Sequence, residues 1–297
     1  MNKVKFQIKS DNYISSNVEI TYAIPSFNHG KYIGELLTTI YEDLVLNSFT
    51  YEILIVDDGS VDETKNEISN FISQHPNVFI KAMFFDNAGI SNNLNRIVNE
   101  SKGEFIRLCA SDDLIVPSST YRMLKKFEHH NYCVVGDGEV ISENGHVLFD
   151  SLVEYHAGNK PKLLSAKHNP YEIVNNYSFA GPCLLVRKAF YDLYSYDKKS
   201  QVDDYDFFVS LVTLTNLNAV KFFDEKVCMY RVHKTNTSKT QCVRARLKNQ
   251  KSMLYLAHKF LNRKCRGFKI ILAKKILITL LKILYLKILL LVEKNND

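Results

Sequence analysis

The sequence predicts an α/β fold built from parallel β-α-β units and followed by a helical extension of different character. Three observations carry this. Apolar β-rich runs alternate with amphipathic stretches through residues 18–110, polar clusters with paired carboxylates follow those runs, and after residue 240 the chain turns basic and rich in Ile and Leu.

The elements follow in order. "VEITYAI" (residues 18–24) is a β-rich run closed by Pro25, with a helical stretch from about Tyr32. "YEILIV" runs into Asp57, Asp58 and Gly59, and Ser60 with Glu63 three positions later makes a capping-box pattern opening a helix towards Gln74. "NVFIKAMFF" is a third strand, "GISNNLNRIVNESKG" a helix ended by Gly103, and "EFIRLCA" a fourth strand. Strand and helix at this spacing imply parallel strands joined by right-handed crossovers. Ligands of such sheets bind outside the carboxyl ends of the strands. That gathers residues 25–28, 57–60, 87–89 and 111–113 at one crevice. Beyond Pro117 the alternation stops. "CVVGDGEVISENGHVLFD" reads as a hairpin around Asn144-Gly145, and residues 150–170 read as a mobile polar loop. "PCLLVRKAFYDLY" gives a strand and helix, "DDYDFFVSLVTLTN" a helix starting near Asp203, and "AVKFFDEKVCMYRVH" the last strands.

With 297 residues, 46% hydrophobic and 24% charged, the chain can bury a large core, as one big domain with an appendage. Six cysteines without a C-x-x-C pair read as reduced, packed thiols of a cytosolic protein, not a disulfide framework or zinc site. The opening residues lack the apolar core of a secretory signal, so export is not expected. The net charge of +6 hides an asymmetry: from residue 241 onward fourteen Lys and Arg face only Glu293 and Asp297, so the first 240 residues are net acidic. The tail's expected partners are therefore anionic. In "FKIILAKKILITLLKILYLKILLLV" (268–292), Lys274, Lys275, Lys282 and Lys287 leave no apolar piece near the roughly 20 residues that span a bilayer. Its Ile/Leu saturation favours lipid over nucleic acid, and a helix lying in the membrane surface over a spanning one. Packing on the body or in an oligomer is the alternative.

Several residues can carry chemistry. Asp112 and Asp113 end a strand as adjacent like charges, which are costly to bury without a partner. A Mg2+ or Mn2+ ion that also holds phosphate oxygens would supply one; a helix cap before Pro117 is the other reading. Asp57 and Asp58 can accept hydrogen bonds from a nucleobase or ribose, with Gly59 permitting close backbone approach, or can form an Asx turn. His29 reads as a surface residue. Among Asp203, Asp204 and Asp206, the first can cap the helix and the last lie on its solvated side, leaving Asp204 as the candidate general base. His233, just beyond the last strand, is either structural or a metal or phosphate contact.

Together "IPSFNHGKYIGELLTTI", "YEILIVDDGSVDET", "NAGISNNLN", "KGEFIRLCASDDLIVP", "DDYDFFVSL" and "YRVHKTNTS" resemble the nucleotide-sugar-dependent glycosyltransferases of family 2, in that family's order over residues 18–240. The resemblance implies a GT-A-type Rossmann-like mixed sheet flanked by helices. It divides the chain into an N-terminal extension (1–17), a catalytic domain (18–240) and a basic, membrane-associated helical tail (241–297). It implies nucleotide-sugar contacts at Pro25, Ser26, Phe27, Asp57, Asp58, Asn87, Gly89, Asn95, Ser111 and Asp112. Asp112, Asp113 and His233 would hold a divalent cation, Mn2+ or Mg2+. Gly181, Pro182 and Asp203 would shape the sugar and acceptor pocket, and Asp204 would be the base of an inverting transfer. Two departures stand out: Leu94 replaces the Arg usual before Asn95, and Ala110 replaces the first Asp of the family's D-x-D-D. The implied reaction moves a sugar, UDP-linked by preference, onto a glycan or lipid-linked glycan at the inner face of the cell membrane, in surface polysaccharide assembly. A nucleotidyltransferase would need a better phosphate loop than "PSFNHGK", and a non-catalytic membrane-associated protein is the remaining alternative.

Overall fold

The computed structural model describes residues 4–11, 17–234, 236, 242–263 and 267–296. Parts of the expected N-terminal extension, the first residue of the expected tail and Cys265 lie outside these described residues.

In chain order the elements are β1 (Phe6–Lys9), β2 (Ile20–Ser26), α1 (Gly30–Val45), β3 (Tyr51–Asp57), α2 (Thr64–Gln74), β4 (Ile80–Phe84), α3 (Ile90–Glu100), β5 (Phe105–Leu108) and β6 (Leu114–Ile115). They continue with α4 (Ser119–Lys125), β7 (Cys133–Ser142), β8 (Val147–Phe149), α5 (Leu152–Tyr155), α6 (Lys160–Leu164), α7 (Asn169–Asn175) and β9 (Leu184–Arg187). The chain closes with α8 (Asp203–Leu214), β10 (Val220–Val232), α9 (Val243–Leu261) and α10 (Lys269–Asn296). One sheet runs β1-β4-β3-β2-β5-β9-β7-β10-β6, with β8 paired to β7. The β4-β3-β2-β5 block is parallel, as the alternation predicts. β9 then pairs antiparallel with both β5 and β7, making the sheet mixed. β2 and β3 read as near-continuous apolar runs because almost every residue in them is buried.

Three local expectations change. Ser60 caps no helix: its hydroxyl donates to Asp57 Oδ2 at 2.5 Å, and α2 starts only at Thr64. Residues 150–170 form the short helices α5 and α6 and the start of α7, not a loop. Their anchor is Asp137, fully buried on β7, whose carboxylate accepts from Ser151 Oγ at 2.7 Å and the Val153 N–H at 3.0 Å and pairs with Lys160 at 2.7 Å. Asp206, expected on the solvated side of α8, is instead fully buried, because Lys259 of α9 reaches its Oδ1 at 3.0 Å.

The last two helices join the body. Leu256 and Phe260 of α9, with Phe268 and Leu272 around the start of α10, belong to the same buried cluster as the sheet residues. Further along, α10 turns Leu277, Leu281, Leu284, Ile288 and Leu291 outward, each at least half exposed. Among the described residues no helix is long and apolar enough to cross a membrane.

Candidate functional site

The four polar strand ends are tied together by hydrogen bonds. Asn28 takes a left-handed φ of 53°, which Asn tolerates better than most residues. Its N–H donates to Ser60 Oγ at 2.7 Å and its Oδ1 accepts from the Val61 N–H at 2.9 Å, clasping the β2 and β3 turns. Asp57 Oδ1 accepts the N–H groups of Gly59 and Ser60 at 3.1 and 2.8 Å. Asp58 reaches the next turn: Oδ1 accepts from the Ala88 N–H and Arg96 Nη1, both at 3.0 Å, and Oδ2 from the Gly89 N–H at 2.8 Å. Both carboxylates thus shape the turns themselves. Phe27 is 44% exposed beside them, Asn87 and Gly89 are exposed, Pro25 is partly so, and Ser26 is buried.

Arg96, two positions after Leu94 on α3, lies over the Phe85 ring at 4.4 Å and pairs with Asp58 Oδ1 at 3.0 Å. Asn95 does not face the turns. Its amide donates to the Tyr196 carbonyl and accepts from the Tyr196 N–H, both at 2.9 Å, fastening the segment that leads to α8.

The second half of the site lies between β5 and β6. The Asp113 N–H donates to the Ala110 carbonyl at 3.1 Å, so residues 110–113 form a tight turn. Asp112 points into a cluster with two histidines: His233 Nε2 lies 2.9 Å from Asp112 Oδ2, and His29 Nδ1 lies 3.8 Å from Oδ1 and 2.8 Å from Ser111 Oγ. One ligand atom from each of His29, Asp112 and His233 lies within 4.8 Å of the others. Burial disfavours the Asp112 charge, but the His233 hydrogen bond and the field of His29 outweigh it and hold the carboxyl below its usual range. Asp113 stands apart: its Oδ1 accepts the Arg231 N–H at 2.7 Å, and burial together with Asp112 pushes it well above the usual range. His29, expected at the surface, is the residue that sequence reading missed. The available signal was its place directly after the β2 turn, in the crevice that also receives Ser111.

Arg231 frames this cluster. Its buried guanidinium donates to the Asp112 and Glu143 carbonyls at 2.9 Å each and to Glu35 Oε2 at 2.7 Å. It also lies 5.1 Å from the Tyr32 ring, which stacks on His233 at 5.0 Å.

Asp203 and Asp204 open α8, both half-buried. Desolvation, then the charge of Asp203, drive Asp204 well above the ordinary carboxylate range, with the Tyr177 hydroxyl pulling the other way. Burial likewise lifts Asp203 to about 6. Gly181 lies between this pair and the end of β5: a Cβ there would lie 3.3 Å from Leu108 Cδ2 and 3.5 Å from Asp204 Oδ1. Pro182 follows it, buried. The crevice therefore offers a carboxylate–imidazole cluster able to hold a cation and a carboxylate able to take a proton.

Comparison with known proteins bears on this arrangement. The family described as glycosyl transferase family 2 matches residues 21–193. A hyaluronan synthase from Pasteurella multocida is 25% identical over 77% of this chain, which spans 22% of that protein. An uncharacterized glycosyltransferase from Rickettsia typhi is 22% identical over 74% of this chain and 66% of its own length. Among solved structures, Staphylococcus aureus TarS 1–349 in complex with UDP-GlcNAc superposes with a TM-score of 0.60 at 20% identity, covering 89% of this chain and 72% of that one. A mannosyltransferase from Pyrobaculum calidifontis in complex with GDP-Man and Mn2+ gives 0.62 at 16% identity, covering 90% and 71%.

Proposed function

Because the chain belongs to glycosyl transferase family 2 and has its GT-A fold, we propose that it transfers a sugar with inversion from a nucleotide donor, UDP-linked by preference, to a glycan or lipid-linked glycan in surface polysaccharide assembly. The observation that carries this reading is the placement of Asp204 beside Gly181 and the end of β5, the strand whose following turn bears Asp112. This placement supports a proton acceptor and a diphosphate-binding edge that serve one crevice.

The donor nucleotide lies along the β2 and β3 turns, against Pro25, Ser26 and Phe27, with Asp57 and Asp58 accepting from base and ribose through their remaining lone pairs. Asn87, Gly89 and Ser111 border it. Asn95 acts at a distance by holding the Tyr196 segment. Asp204 removes the proton of an acceptor hydroxyl as that oxygen bonds to the anomeric carbon, the carbon–oxygen bond to the diphosphate breaks, and the nucleoside diphosphate departs with its electron pair. A base held above the usual carboxylate range takes this proton more readily than an ordinary aspartate. Asp203 and Pro182 border the acceptor.

A divalent cation fits the donors present: Asp112 Oδ2 and His233 Nε2 lie 2.9 Å apart, close to the spacing of about 3 Å between neighbouring ligands of an octahedral ion with 2.1 Å bonds. Asp112 and His233 would hold such an ion, Mn2+ or Mg2+, which would supply positive charge against the leaving diphosphate. Asp113, tied to the Arg231 N–H, supports the turn from behind. The helix α10 rests on the inner face of the cell membrane through its exposed Leu and Ile side chains, with Lys274, Lys282 and Lys287 meeting anionic headgroups.

Asp204→Asn tests the reading. With a panel of nucleotide sugars and Mn2+, donor binding should persist while transfer falls roughly 10²- to 10⁴-fold. Substantial retained turnover overturns the assignment.

A further inference from the structure

We propose that His29 is a third protein ligand of the cation, completing a two-histidine, one-carboxylate set with Asp112 and His233 that selects a transition-metal ion over Mg2+. The inference rests on the reading above that this cluster binds a cation. It goes further in naming a ligand outside the acidic motif and the ion that the resulting set prefers.

Three separate elements deliver the ligands: the N-terminus of α1 for His29, the β5–β6 turn for Asp112, and the end of β10 for His233. His29 is fixed before any ion arrives. Its N–H donates to Thr64 Oγ1 at 3.1 Å, and the next N–H, of Gly30, donates to Asp62 Oδ2 at 2.9 Å. A side chain on Gly30 would collide with the Thr64 nitrogen at 2.7 Å, so the start of α1 is seated tightly on the α2 entrance. From that seat the His29 ring meets the His233 ring edge-on, with centroids 5.8 Å apart, and aims Nδ1 at Asp112. Before an ion binds, the Ser111 hydroxyl, 2.8 Å away, bonds to this same nitrogen and holds the ring in this orientation; coordination displaces that hydrogen bond. The 3.8 Å from Nδ1 to Asp112 Oδ1 is about 0.8 Å longer than the spacing of about 3 Å between neighbouring ligands of an octahedral ion, so the ring closes on the ion by a small side-chain rotation while the backbone stays seated. With its proton on Nε2, the imidazole presents the Nδ1 lone pair to the ion.

The chemistry of the donors sets the preference. Mg2+ is a hard ion that takes oxygen ligands and keeps several waters, whereas imidazole nitrogen suits later divalent ions. A metal edge made of carboxylates alone would serve Mg2+ and Mn2+ alike. Two imidazoles and one carboxylate shift affinity towards Mn2+, and further towards Co2+ and Zn2+ along the usual order. The chain lacks the first Asp of the acidic motif, with Ala110 in its place. His29 makes good the missing donor from a different element.

The test uses the full-length protein with Mn2+, Co2+ or Mg2+ alone and again with UDP. Pulsed electron paramagnetic resonance of bound Mn2+ should register nitrogen coupling from two imidazoles in the wild type and one in His29→Asn. Calorimetry should show His29→Asn weakening Mn2+ and Co2+ by at least roughly tenfold, the scale carried even by outer partners of a metal site, with Mg2+ changed far less. Asp112→Asn separates the two layers of the argument. If it loses Mn2+ while His29→Asn binds Mn2+ like the wild type with unchanged nitrogen coupling, His29 is not a ligand and the cation site stands. If Asp112→Asn also binds Mn2+ unchanged, the cation reading itself is overturned. His29→Gln, checked by circular dichroism, replaces His29→Asn should the latter fail to fold.

Discussion

Lys259 of α9 donates to Asp206 Oδ1 at 3.0 Å and to Asp197 Oδ2 at 2.9 Å, so a residue of the basic C-terminal segment holds the helix whose first turn carries the proposed base. Asp206 is fully buried and also accepts from the Tyr194 hydroxyl at 3.1 Å. Removing its cation leaves a charge with no exit to water. Lys259→Met should therefore lower stability by about 3–5 kcal/mol, read as a fall in the urea midpoint. Asp206→Asn added to that variant should recover much of the loss; no recovery would mean that the pair is not the source.

Arg231 makes a second prediction. Its planar fork serves the Asp112 carbonyl, the Glu143 carbonyl and Glu35 together, which a lysine ammonium cannot reproduce. Arg231→Lys should keep the Asp113 contact, since that comes from the Arg231 backbone N–H, yet loosen the turn carrying Asp112. Mn2+ affinity measured by calorimetry should fall severalfold with the melting temperature less affected than in a truncation to Ala. Unchanged Mn2+ affinity would assign Arg231 a purely structural place.

These two relationships mark where sequence reading stops. The parallel strands were legible because burial on both faces writes them as apolar runs, and the crevice followed from their carboxyl ends. Acidic pairs at those ends singled out Asp57, Asp58, Asp112 and Asp113 as candidates, and the acidic start of α8 singled out Asp204. The rest depends on contacts that no local pattern encodes. His29 meets Ser111 across 82 residues of sequence, and Lys259 meets Asp206 across 53. The edge strand β1 exists by pairing antiparallel with β4, far along the chain. The helices after residue 150 owe their order to the buried carboxylate of Asp137, which sits between Gly136 and Gly138 with nothing in its strand to mark the segment that it anchors.

The pH dependence of transfer follows from the paired aspartates. The proposed base, Asp204, would work deprotonated, so activity should be present above its folded-state pKa and lost as pH falls through it. Burial and Asp203 raise Asp204, and burial raises Asp203 to about 6. The acid limb of the kcat/KM profile should accordingly lie well above the range of a free carboxylate, about 3.9. Asp203→Asn removes the neighbouring charge and should move that limb to lower pH, whatever it does to the plateau. A limb that stays in place would separate the two groups electrostatically.

The C-terminal helices should answer differently to deletion and to surface change. Deleting everything from residue 243 strips Leu256, Phe260, Phe268 and Leu272 out of the core, and losing even one buried Phe side chain costs about 3–5 kcal/mol. Such a truncation should be insoluble or unfolded, and its failure to bind membranes would say nothing about anchoring. The outer face of α10 permits a cleaner test. Leu277, Leu281 and Leu284 are each about 60% exposed, whereas Ile283 and Leu286 on the same helix are buried. Replacing the three exposed leucines with glutamine should leave the melting temperature nearly unchanged, because they contribute little to the core. Sedimentation with vesicles of anionic lipid should drop, since both apolar insertion and lysine–headgroup attraction act through that face. Vesicle binding equal to the wild type, in a folded triple variant, would exclude α10 as the membrane contact.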